Sequence, residues 1–239
     1  YTKLHDAYLS VAEALRHAGY YHNTHINIHW IDSEQITAET AKEVLSNLDG
    51  IIVPGGFGNR GIEGMILAAK YAREQKLPYF GICLGMQIAV IEYARNVLGI
   101  KDANSGEFDE ACANKVISLM PGQNDAIDKG GTLRLGAYPC KVKRGTTLEK
   151  CYGATEISER HRHRYEFNNK YRDQFEKHGL TLAGTSPDDR LIETVELSDR
   201  DFYVGVQYHP EFKSRPNRPH PLFLGFIRAS LAHAERGGK

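Results

Sequence analysis

The chain has 239 residues, enough for one large α/β domain or two small ones. Hydrophobic residues at 41% and charged residues at 25% match an ordinary soluble protein, so a sizeable core needs neither disulfides nor a metal. Thirty basic and thirty acidic residues cancel, which excludes a nucleic-acid or membrane partner recruited by bulk field. The four cysteines, Cys83, Cys112, Cys140 and Cys151, show no CxxC spacing. With no signal peptide and no apolar run near the ~18 residues of a membrane span, this reads as a cytoplasmic protein with reduced thiols.

In chain order, strand and helix signals alternate. The sequence begins at Tyr1, almost directly in a helical pattern that places Leu4, Tyr8, Val11, Ala12 and Leu15 on one face and stops near Gly19. Parallel α/β domains usually open with a buried strand, so a strand ahead of Tyr1 is expected to lie outside this sequence. Ile26 to Trp30 alternates apolar and polar residues like a strand. Ala38 to Leu48 reads as a helix, Gly50 to Val53 as a short buried strand, Ile62 to Arg73 as a helix and Pro78 to Ile82 as another strand. Leu84 to Leu98 reads as a long helix. Further strands are predicted at Val116 to Leu119, Thr132 to Val142 and Thr155 to Ser158, and a helix at Tyr171 to His178. Strands follow at Leu180 to Thr185, Leu191 to Leu197 and Phe202 to Tyr208, the last two paired antiparallel across Ser198-Asp199-Arg200-Asp201. Pro221 to Ala234 closes as a helix. The order predicts an α/β fold with a mostly parallel central sheet, helices on both faces and some antiparallel strands toward the C-terminus. Without repeats or a low-complexity linker, residues 1–239 are expected to form a single domain.

The most informative stretch is Phe80-Gly81-Ile82-Cys83-Leu84-Gly85-Met86-Gln87. A buried strand runs into Gly-x-Cys-x-Gly and a helix starts at once, a nucleophile elbow with cysteine in place of serine. Gly81 and Gly85 let strand and helix approach closely. The sulfur stands at a helix N-terminus, where the dipole favours a thiolate. The Leu84 N–H has no partner within the helix and is available to an oxyanion.

Val53-Pro54-Gly55-Gly56-Phe57-Gly58 follows an earlier strand, and adjacent glycines let an amide N–H face a ligand. Gly56 is the expected second oxyanion donor. A phosphate loop is the rival, but neither the G-x-G-x-x-G spacing nor a Walker lysine is present. Near the C-terminus, Gln207-Tyr208-His209-Pro210-Glu211 supplies a base that titrates in the right range and, two residues on, a carboxylate to hold its tautomer.

With these motifs in place, the chain resembles the class I glutamine amidotransferases, a flavodoxin-like fold, and within them the glutaminase domains of the CTP synthase family. Pro54 to Gly58, Gly130 to Gly136 and Glu159-Arg160-His161-Arg162-His163-Arg164-Tyr165-Glu166 carry the narrower likeness. The resemblance implies glutamine hydrolysis through a γ-glutamyl thioester, with Cys83, His209 and Glu211 as a triad. Gly56, Phe57, Leu84 and Gln87 would contact glutamine and the oxyanion, and Glu107 and Arg164 would hold its ammonium and carboxylate. The chain itself would need no cofactor or metal. ATP and Mg would belong to an absent N-terminal synthase domain that converts UTP to CTP, and the full enzyme would be a homotetramer. GTP would be its allosteric activator, with Arg134 the residue to examine for contact. Two readings share the elbow: a γ-glutamyl peptidase, and a catalytically silent regulatory module. The basic run Arg160 to Arg164 is either a solvated strand or part of this site. Cys112, Cys140 and Cys151 receive no role.

Overall fold

The computed structural model describes residues 2–119 and 133–237. The described residues form ten strands: β1 (Ile51–Val53), β2 (Tyr79–Ile82), β3 (Asn104–Ser105), β4 (Lys115–Leu119), β5 (Arg134–Val142), β6 (Glu156–His163), β7 (Tyr165–Phe167), β8 (Thr181–Thr185), β9 (Ile192–Glu196) and β10 (Tyr203–Val206). The α-helices are α1 (Leu9–Tyr21), α2 (Ala41–Leu45), α3 (Ile62–Gln75), α4 (Leu84–Asn96), α5 (Thr147–Tyr152), α6 (Arg172–Lys177) and α7 (Pro221–Arg236).

Seven strands form one sheet in the order β1-β2-β10-β9-β8-β5-β6, and β3-β4-β7 form a small second one. Pairing is parallel from β1 through β2 to β10 and antiparallel in every ladder beyond β10. The architecture is the α/β class read from the sequence, with a smaller parallel share than the alternation of signals implied. The reason is local: β9 and β10 are joined by the short 198–201 turn, which permits only antiparallel pairing.

Period-two alternation divides the core between the two faces of the sheet. Tyr79 and Tyr203 stack at 4.6 Å and pack with Ile66, Ala69 and Ala72 of α3 and with Ile88 and Ile91 of α4. Phe80, Val204 and Val206 face the other way, onto Val11 and Leu15 of α1 and Phe223 and Phe226 of α7. Helix α4 is buried from Leu84 to Ala94, including Glu92, whose carboxylate takes three hydrogen bonds of 2.8–3.1 Å from Arg73 of α3. A buried carboxylate is tolerated only when matched in this way.

Ile26 to Trp30, expected as a strand, forms no ladder. Ile26 and Ile28 do pack toward the α1–α7 layer, so the alternation reports burial correctly. A strand exists only beside a partner, however, and residues 24–32 have none among the described residues. They instead line, with β1, a cleft of about 500 Å³. The predicted opening helix is also split: residues His5–Tyr8 form a 3₁₀ turn and α1 begins at Leu9. The predicted 38–48 helix shortens to Ala41–Leu45.

Candidate active site

The turn between β2 and α4 is as tight as the glycine spacing implies. A Cβ on Gly81 would lie 2.5 Å from the Gly85 carbonyl, and a Cβ on Gly85 would lie 2.0 Å from the Val53 carbonyl oxygen. Both are far inside van der Waals contact, so only glycine fits. Cys83 between them has φ 51° and ψ −99°, a conformation costly for a residue with a side chain. It is held there by its N–H, which donates to the Val206 carbonyl at 2.7 Å. The Cys83 carbonyl in turn accepts from Met86 and Gln87 in the first turn of α4.

Because β10 is the parallel neighbour of β2, it delivers the next side chains to the same sheet edge. His209 follows β10 directly. Its backbone N–H donates to the Arg160 carbonyl of β6 at 2.8 Å, and its Nδ1 lies 2.8 Å from Glu211 Oε1. Glu211 is buried, His209 keeps a small exposed edge, and the Phe212 ring stacks on the imidazole. Burial works against an imidazolium here. Hydrogen bonds to Cys83 and Glu211, and the negative charge those partners carry, outweigh it and push His209 up to about 10. The arrangement therefore favours an imidazolium at His209, with Nδ1–H given to Glu211 and Nε2 left for the sulfur.

Gly55 lies against this pair. A Cβ there would meet His209 Cε1 at 2.8 Å and Cys83 Cβ at 3.6 Å, so a bare backbone is required where the loop passes Cys83. Gly56 follows it, half-buried. Phe57 is exposed with the Arg162 guanidinium 5.7 Å from its ring centre. Gly58 N–H donates to Glu107 Oε1 at 3.4 Å. Burial raises Glu107, while the Gly58 bond and the charge of Arg164 hold it down. Glu107 and Arg164 thus share one wall beside the glycine loop. Gln87 is buried behind the sulfur, and its two N–H groups go to Tyr165 O and Gln207 Oε1. Such a side chain reaches a substrate only through its oxygen.

The basic run proves two-faced. In β6 the arginines Arg160 and Arg162 are exposed while His161 and His163 are buried. His163 Nδ1 bonds the Tyr165 carbonyl at 3.0 Å and must carry the proton. His163 Nε2 then accepts from His161 Nδ1–H at 2.9 Å. That leaves a lone pair on His161 Nε2 facing Glu193 Oε2 at 3.4 Å, a contact that asks for a proton on the carboxyl. Burial pushes Glu193 up to about 7 despite Arg134, and pushes neighbouring Glu166 up to about 8. Burial likewise lowers His161 to about 2 and His163 to about 3. The ligand atoms of His161, His163 and Glu193 lie within 4.8 Å of one another, but the Arg134 guanidinium on the same carboxylate opposes a cation. Arg134 is turned inward, 9% exposed and 4.4 Å from the Tyr138 ring centre. Residues 130–132 of the same motif lie outside the described residues. The sequence reading missed this network and Gln207, although the strict Arg-His alternation at period two already signalled one polar face turned inward.

A family model for class-I glutamine amidotransferase matches residues 3–229, and the chain belongs to that family. Among its relatives are two enzymes named CTP synthase. That of Carboxydothermus hydrogenoformans is 62% identical over 231 residues, 97% of this chain and 43% of the relative. That of Staphylococcus saprophyticus is 57% identical over 235 residues, 98% of this chain and 44% of the relative. The chain thus spans less than half the length of these curated relatives. A solved glutaminase domain of Trypanosoma brucei CTP synthase, with bound acivicin, superposes with a TM-score of 0.90 at 38% identity, covering 95% of this chain and 89% of that one. A putative GMP synthase subunit from Thermoplasma acidophilum, at 19% identity and a TM-score of 0.54, shares the fold.

Proposed function

We propose that this chain hydrolyses the side-chain amide of L-glutamine and hands the ammonia to an ATP- and Mg-dependent synthase domain that converts UTP to CTP. One observation carries the reading: a strained cysteine at the N-terminus of a buried helix, coupled to an imidazole that a carboxylate orients. The Cys83 thiolate attacks the amide carbon. Charge builds on the carbonyl oxygen, where the N–H groups of Gly56 and Leu84 receive it. His209 gives its Nε2 proton to the departing nitrogen, which leaves as ammonia, and a γ-glutamyl thioester remains. His209 then takes a proton from water, the hydroxide cleaves the thioester, and glutamate leaves with the thiolate and imidazolium restored. Glu107 pairs with the α-ammonium and Arg164 with the α-carboxylate of the substrate. Their proximity beside the glycine loop supports that placement.

The lengths of the curated relatives support the synthase partner, and the acivicin-bound Trypanosoma domain supports a glutamine-shaped pocket. GTP activation and tetramer formation belong to the same reading of the full polypeptide. The test is ammonia release from glutamine at neutral pH together with labelling by acivicin. The wild type releases ammonia and is labelled at Cys83. In Cys83→Ala both vanish, the rate falling at least ~10³-fold. Undiminished release by Cys83→Ala would reject the proposal.

A further inference from the structure

We propose that Gln207 is a further catalytic residue, whose side-chain amide donates an N–H to the Cys83 sulfur and holds it as the nucleophilic thiolate. The proposal rests on the reading of Cys83 as the nucleophile and adds a third group to those that act on it.

Gln207 Nε2 lies 3.6 Å from Cys83 Sγ, within hydrogen-bond range for sulfur. The side chain is fully buried, so this amide has no water to fall back on. Its backbone is fixed on two sides. Gln207 N–H donates to the Glu193 carbonyl of β9 at 2.8 Å, and the preceding Val206 carbonyl accepts from Cys83 N–H at 2.7 Å. The residue is therefore locked in register with the elbow.

Which end of the amide faces the sulfur is decided at a distance. The Tyr165 carbonyl can only accept, so Gln87 must present its NH₂ there, at 3.1 Å. The other hydrogen of that NH₂ points to Gln207 at 3.3 Å, so Gln207 must offer its oxygen. Its own NH₂ is left for Cys83. Turning either amide over would set donor against donor or acceptor against acceptor in a buried site. A fixed donor aimed at sulfur favours the thiolate, which only accepts, over the thiol. His209 supplies the partner charge on another side. Gln207 supplies a neutral contact that does not change as His209 loses and regains its proton through the cycle.

The experiment reads the sulfur rather than glutamine binding. In the full polypeptide, the rate of Cys83 alkylation by iodoacetamide is followed across pH by peptide mass spectrometry, for wild type, Gln207→Met and Gln207→Glu. Gln207→Met keeps length and removes the donor. The midpoint of its profile is expected about one pH unit higher, the size of one charge-assisted hydrogen bond. Gln207→Glu, nearly isosteric, sets a carboxyl against the sulfur and is expected to move the midpoint further. Turnover of glutamine at pH 7 should fall at least about tenfold in kcat with KM within about twofold. A thermal unfolding transition confirms that each variant is folded, and Gln207→Glu carries the test if Gln207→Met is not. A folded variant with the wild-type alkylation profile overturns the proposal. Failure of the wild type to hydrolyse glutamine would instead sink the glutaminase reading, and the alkylation comparison would still stand or fall by itself.

Discussion

At the scale of single residues, the sequence exposed the groups proposed to do the chemistry and hid those that surround them. Cys83, His209 and Glu211 stood out because an elbow and a His-Pro-Glu turn have few structural uses. His161, His163 and Glu193 did not, because a buried polar network is made by side chains brought together from β5, β6 and β9. Their titration gives opposite signs. Glu193 and Glu166 are acids raised from an ordinary 4.5 to about 7 and about 8. The fold keeps protons that the unfolded chain releases, so their contribution is lost as pH rises through those values. His161 and His163 are bases lowered from 6.5 to about 2 and about 3. The unfolded chain takes up protons that the fold refuses, so stability is lost as pH falls below 6.5. Between 4.5 and 6.5 the two uptakes cancel, proton for proton. The cluster thus predicts a plateau there and a loss of about 2 kcal/mol between pH 6.5 and 8.5. Raised His209 acts in the same direction above 6.5. Denaturant unfolding at pH 6.0 and 8.5 checks this, and Glu193→Gln isolates one share, since it should lessen the alkaline loss while Glu166 and His209 keep the rest. An equal loss in the variant would contradict the assignment.

At the scale of elements, patterns that repeat within one segment were legible and those that need a second segment were not. The long helix at Leu84 was read to within two residues of its end because its burial and its start signal are both local. The β9–β10 hairpin was read from its turn. Residues 26–30 carry the same alternation as a true strand, yet form no ladder among the described residues, since alternation reports which side chains are covered and not whether a backbone partner exists. Helix α5 went unread because partners from outside the segment help to start it. Its start depends on Thr146 accepting from Glu149 N–H and on Glu196 of β9 receiving two backbone N–H groups. The packing of α4 on β1 and β2 rests on absent methyl groups. In Gly85→Ala the new Cβ would meet the Val53 carbonyl, whose strand cannot retreat without breaking the β1–β2 ladder. Destabilisation of about 3 kcal/mol is expected, a fall in Tm on the order of 10 °C. A Tm within about 2 °C of wild type, measured by calorimetry, would contradict this account of the turn.

At the scale of the whole molecule, the mixed sheet explains why one edge holds the chemistry. Two parallel strands, β2 and β10, end side by side and deliver Cys83 and His209, the proposed nucleophile and base. The antiparallel strands beyond them bury the polar network that holds β6 and β9 around that edge. No helix among the described residues is long and apolar enough to cross a membrane. The central claim is that amide cleavage passes through a covalent bond to one sulfur. Mixing the full polypeptide with excess glutamine, quenching in acid within a turnover and mapping the peptides by mass spectrometry tests it most directly. The account predicts a single γ-glutamyl group on the peptide that contains Cys83, rising before ammonia reaches its steady rate. Steady glutamine turnover with that peptide unmodified at every time point would contradict it.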